Sequence, residues 1–226
     1  AFDHGLVVVV GPLYGGVAVA AALDAGWSSV EIAHEVVDTP PIPLVSFEQV
    51  PTGELAAGRC RVRSTDLASA VREALLLGAP VLLAAPALAR PFAAQMATRL
   101  EATDTERLTF VIAPSTHGAT DSQAQCSERA PADGWWAAGA LIRVLLDELD
   151  ARDARLTDSA GIAVHLATGT EDASSHLGAG VRWRRHLARG GAADDLRVAR
   201  ALDTLAVVPA VTVEDGAPVA RAWLPA

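Results

Sequence analysis

The run Leu6-Val-Val-Val-Val10, then Gly11-Pro-Leu-Tyr-Gly-Gly16, then Val17-Ala-Val-Ala-Ala-Ala-Leu-Asp-Ala25 decides the fold class. Five consecutive apolar residues, four of them β-branched, show no polar alternation. That pattern describes a strand buried on both faces. The glycines interrupt it, and the Ala-rich stretch that follows reads as a helix. A buried strand, a Gly-rich loop and a helix in that order belong to a parallel sheet with helices packed on it.

The same alternation continues to residue 113. Val30 to Ala33 reads as a short strand, and Pro40, Pro41 and Pro43 mark a loop. Arg59-Cys-Arg-Val-Arg63 alternates as an edge strand does, with Cys60 and Val62 inward. Thr65 to Leu77 is a helix and Pro80 to Ala85 a buried strand. Leu88 to Leu100 is a helix with Pro91 in its first turn, where a missing N–H costs nothing. Leu108 to Ala113 is a further buried strand. The second half reads as helical. Pro131 to Arg152 carries Trp135, Ala138, Leu141, Ile142, Leu145 and Leu149 at helical spacing. Asp158 to Thr168, Ser174 to Ala188 and Ala192 to Leu202 follow. A hairpin closes the chain, with Val211 to Val213 and Pro218 to Trp223 flanking Glu214-Asp215-Gly216. The expectation is an α/β protein: three α/β/α layers, a mostly parallel sheet, a helical C-terminal half and a C-terminal β-hairpin.

Composition sets the outer bounds. A compact chain of 226 residues buries roughly 70% of its unfolded surface and needs no covalent staples. Apolar residues make up 51%, which excludes intrinsic disorder. The sequence shows no repeat and no linker, so residues 1–226 are expected to form a single domain. A formal net charge of -9 argues against a nucleic-acid grip, which needs a basic face. No apolar run approaches the roughly 18 residues of a membrane span, so no membrane partner is expected. Leu6 to Val10 is too short for a signal segment. Two cysteines, Cys60 and Cys126, make no disulfide framework, and a reducing, cytoplasmic setting is expected. A homo-oligomer is compatible with all of this.

Ligands of open α/β sheets gather at the carboxyl ends of the strands. That rule selects four loops: Gly11 to Gly16, Arg63 to Asp66, Ala85 to Arg90 and Ala113 to Asp133. In the first, Gly15 and Gly16 let an anion approach a helix N-terminus, or simply let helix pack on strand; Tyr14 lines a pocket or caps the sheet. The Lys and Ser/Thr of a P-loop are absent. In the second, Ser64, Thr65 and Asp66 are helix-capping types that also suit a phosphate or carboxylate. In the third, Arg90 is either an anion clamp or a solvated surface residue. The fourth gathers His117, Asp121, Cys126, Glu128 and Asp133 at spacings that match no zinc site. Mg²⁺ needs only one or two carboxylates, and Asp133 is the candidate. His117 with Asp121 or Glu128 is the candidate for a separate acid–base chemistry. His186, in Arg182-Trp-Arg-Arg-His186, belongs to a local basic face.

The chain resembles the 2-phosphosulfolactate phosphatases. Gly191, Asp195, Asp203 and Val208-Pro209 fall in that family's C-terminal register without a gap. Leu156-Thr-Asp158, Asp133-Gly-Trp-Trp-Ala-Ala-Gly139 and the outline of Val7 to Gly26 are similar to further family stretches. The resemblance covers about three-quarters of the chain. It implies an Mg²⁺-dependent phosphatase acting on a small anionic phosphate ester. Asp133 would hold the metal, Asp133 and Asp66 would serve catalysis, and Ser64, Thr65 and Arg90 would hold the phosphate.

The departures fall on the chemistry. Where the family has Asp-x-x-Arg-Ala-Thr after its first strand, this chain has Gly11-Pro-Leu-Tyr-Gly-Gly16. Where the family has Thr-Asn-Gly-Thr-Arg-Ala, it has Thr65-Asp-Leu-Ala-Ser-Ala70, and the second acid of the pair beginning at Asp133 is Gly134. Each lost carboxylate or guanidinium removes several kcal/mol of transition-state stabilisation, on the order of 10²-fold in rate. The alternative expectation is therefore a non-catalytic paralogue that binds a small metabolite or a partner protein in the old cleft.

Overall fold

The computed structural model describes residues 5–11, 15–33, 58–102, 107–113, 132–150, 154–169, 177–178, 180–188 and 193–223. In chain order these form β1 (Leu6–Val10), α1 (Gly15–Asp24), β2 (Ser29–Ala33), β3 (Arg59–Arg63), α2 (Thr65–Leu76) and β4 (Val81–Ala84). A 3-10 turn (Pro86–Leu88) leads into α3 (Ala89–Ala102), followed by β5 (Leu108–Ile112) and α4 (Ala132–Glu148). Then come α5 (Asp158–Thr168), α6 (Val181–Ala188), α7 (Asp195–Arg200), β6 (Pro209–Glu214) and β7 (Ala217–Ala222).

The protein is α/β, with a seven-stranded mixed sheet in the order β3-β2-β7-β6-β4-β1-β5. β1 is parallel to both β4 and β5, and β2 is parallel to β3. The β6–β7 hairpin lies between these two parallel units and is antiparallel to both, pairing with β4 on one side and β2 on the other. The expectation of a mostly parallel sheet is corrected by this placement. The Asp215-Gly216 turn forms as read, with both residues at positive φ (51° and 77°), the conformation that two-residue hairpin loops require.

β1 is the centre of the packing. Leu6, Val8 and Val10 point into one apolar cluster, and Val7 and Val9 into a second. The first cluster contains residues of α3 and α4, including Phe92, Met96, Trp136 and Leu141. The second contains residues of α2, including Leu67 and Val71, with Val30, Ile32, Cys60 and Val62 from β2 and β3. Fully burying one such aliphatic side chain contributes about 1.5–3 kcal/mol, so a strand buried on both faces anchors both clusters.

Two sequence expectations shift in α4. The helix ends at Glu148, short of Arg152, and Asp150 beyond it takes a positive φ of 44°. Trp136, not Trp135, is the buried indole. Outside it, α5 packs so closely that a Cβ on Gly139 would collide with the carbonyl of Ala163. The edge strand β3 is guarded by charge, as Arg61 Nε meets Glu31 Oε1 on β2 at 2.8 Å.

Candidate functional site

The carboxyl ends of β1, β4 and β5 are aligned by two backbone bonds. Gly11 donates its N–H to Ala84 O at 3.1 Å, and Ala113 donates to Val10 O at 3.1 Å. α1 and α2 both begin beside this edge. A Cβ on Gly15 would lie 2.5 Å from Leu67 of α2, and one on Gly16 would lie 2.8 Å from Gly11 O. Both glycines are buried. Their first structural use is therefore close packing: Leu67 fills the space above Gly15. Tyr14 lies outside the described residues, as do His117, Asp121, Cys126 and Glu128.

Ser64 is the N-cap of α2. Its backbone is extended (φ -157°, ψ 108°), and its Oγ accepts the N–H of Leu67 at 3.4 Å. Its own N–H donates to Ala33 O at the end of β2. Thr65 opens the helix, and Asp66 stands in its first turn, where a carboxylate suits the helix dipole. The segment is thus tied both to the sheet and to its own helix.

Arg90 is held from a distance in sequence. Its backbone N–H donates to Asp203 Oδ1 at 2.6 Å, and its Nε meets Oδ2 at 3.2 Å. The side chain is 80% exposed. Asp203 takes a positive φ of 57°, a conformation Asp tolerates better than most residues. Leu205 N–H donates to Ala87 O, so the 203–205 segment fastens the turn that follows β4. The guanidinium read as an anion clamp has its carboxylate partner within the protein.

Asp133 differs from the rest. It stands in the first turn of α4 with 0% of its surface exposed. Burying a carboxylate is costly unless other groups compensate, and a helix N-terminus supplies part of that compensation. α4 packs on α3, β1, β5 and the 86–88 turn. Asp133 and Asp66 stand on helices that feed opposite core clusters. Among the described residues no three His, Cys, Asp or Glu side chains gather in a way that could hold a metal ion. Mg²⁺ asks less: one or two carboxylates, with water and ligand phosphate oxygens completing the shell. A buried carboxylate such as Asp133 fits that donor chemistry.

Two features escaped the sequence reading. His186 is not on an exposed basic face; it is 2% exposed and stacks on Trp183, ring centroids 5.2 Å apart. Their spacing of three on one helix was the available signal. The role of Asp203 as the partner of the α3 N-terminus left no local trace.

No protein-family model matches the chain, and no curated protein matches it. Among the described residues no helix is long and apolar enough to cross a membrane.

Proposed function

We propose that this chain is a divergent 2-phosphosulfolactate phosphatase-type protein that takes a small anionic phosphate monoester at the carboxyl ends of β1, β4 and β5. The observation that carries the reading is Asp133, a wholly buried carboxylate in the first turn of a helix. Asp133 would hold Mg²⁺. The ion supplies charge neutralisation at the phosphoryl oxygens when bound. The N-terminal turns of α1 and α2 offer backbone N–H groups to an anion, and Asp66 in the α2 turn is the candidate acid–base group. Residues in the register of the family's C-terminal motif have scaffold roles here. Asp203 holds the start of α3, Val208 is fully buried, and Pro209 begins β6.

A second reading has its own support. Leu67 occupies the space above Gly15, and Arg90 is engaged by Asp203, so two expected phosphate contacts serve packing instead. On that reading the cleft binds a small metabolite or a partner protein without hydrolysing a phosphate ester. Steady-state assays with p-nitrophenyl phosphate and Mg²⁺ separate the two. The phosphatase reading expects Mg²⁺-dependent turnover that falls at least 10²-fold in Asp133→Asn. Phosphate binding without turnover leaves the second reading. Turnover that Asp133→Asn leaves unchanged rejects the assignment of Asp133.

A further inference from the structure

The helix α5 buries one side and exposes apolar side chains on the other. Its inner side, with Ala163 and Ala167 buried, lies on α4. Its outer side carries Asp158, Gly161, Ile162, His165 and Leu166, at intervals of three, four, seven and eight residues that place them in one stripe. Ile162 is 57% exposed and Leu166 37%. A Cβ added to Gly161 would meet nothing within 4 Å, so the stripe has a shallow hollow beside its largest exposed side chain.

We propose that this stripe pairs with the same stripe of a second copy of the chain, the two α5 helices antiparallel across a two-fold axis. An axis between Gly161 and Ile162 seats Ile162 of each copy in the hollow above Gly161 of the other. The same axis sets Asp158 of each copy opposite His165 of the other. Asp158, a hydrogen-bond acceptor, lies in the first turn and His165, a ring N–H donor, in the last, so the polar pattern is complementary to itself only in the antiparallel sense. Such an isologous contact makes two copies of each interaction and closes on itself. It also opposes the two helix dipoles favourably. The missing side chain at Gly161 permits the close backbone approach, which no other residue type allows.

The helix has 11 residues and is about 16 Å long. A pair of this length falls short of the roughly 1,200 Å² of a standard interface. The dimer is therefore expected to be weak, so it is sought between about 1 µM and 100 µM chain.

Sedimentation equilibrium of the full chain tests this. The wild type is expected to rise from one-chain mass toward two-chain mass across that concentration range. Gly161→Gln fills the hollow and Ile162→Gln removes the knob; both are expected to stay at one-chain mass. Both positions face solvent, and circular dichroism verifies that each variant is folded. His165→Asp sets carboxylates opposite each other and disperses the dimer; adding Asp158→His restores it. A wild type of constant one-chain mass overturns the proposal. So does a dimer that all of these variants keep.

Discussion

Cys60 shows how a single position on the edge strand reports the fold. Its thiol is 4% exposed among Val30, Ile32 and Val62. Burial pushes its pKa from the ordinary 9.0 up to about 11. The unfolded chain ionises this thiol near its ordinary value, whereas the folded chain resists until about 11. The stabilising contribution is thus complete below pH 9 and is lost as pH rises toward 11. Stability curves measured from pH 8 to 11 should fall in the wild type and flatten over that window in Cys60→Ala; parallel curves would reject the assignment. The position was legible in the sequence because Arg59-Cys-Arg-Val-Arg63 alternates with a period of two, which fixes the inward side. Arg90 was not legible in the same way. Its partner, Asp203, is 113 residues away, and nothing in the local pattern around Pro91 announces it.

At the scale of elements, propensity and punctuation located most helices and strands within a few residues. Pro91 lies in the first turn of α3, Ser64 caps α2 and Thr157 caps α5. These are local features, decided by which backbone groups lack partners. The hairpin was legible for the same reason, from Asp215-Gly216. Its place in the centre of the sheet was not. A turn specifies which two strands pair with each other, and the strands they join on either side are settled by tertiary packing. The tie between the 203–205 segment and α3 belongs to this scale as well. Asp203 offers its carboxylate to the first turn of α3 much as an N-cap does from within a chain. Asp203→Ala should lower stability by about 1–2 kcal/mol. Arg90→Ala, which removes an ion pair on a side chain 80% exposed, should cost about 0.5 kcal/mol or less. Urea unfolding of the two variants checks the order, and an equal loss in both would place the stabilisation in the ion pair.

For the whole molecule, the two ends of the chain share the work of building the sheet. The C-terminal stretch from Asp203 to Ala222 builds the sheet centre and fastens the turn after β4. The strand-end loops hold the glycines packed by Leu67 and the arginine engaged by Asp203. The fold was readable because strand burial on both faces leaves a strong hydrophobic signature. Of the candidate site residues, Asp133 is the one whose helix start was legible and whose carboxylate is wholly buried. Long-range electrostatics add a constraint: a formal net charge of -9 gives a phosphate dianion no attraction from the protein as a whole. Phosphate should therefore bind together with Mg²⁺ rather than alone. Thermal unfolding with Mg²⁺, with inorganic phosphate, and with both tests this most directly. Saturation to ten times Kd should raise the midpoint by about 3–5 °C when both are present. The account expects that rise in the wild type, little change with phosphate alone, and no rise in Asp133→Asn. An unchanged midpoint in the wild type, or an equal rise in Asp133→Asn, would contradict it.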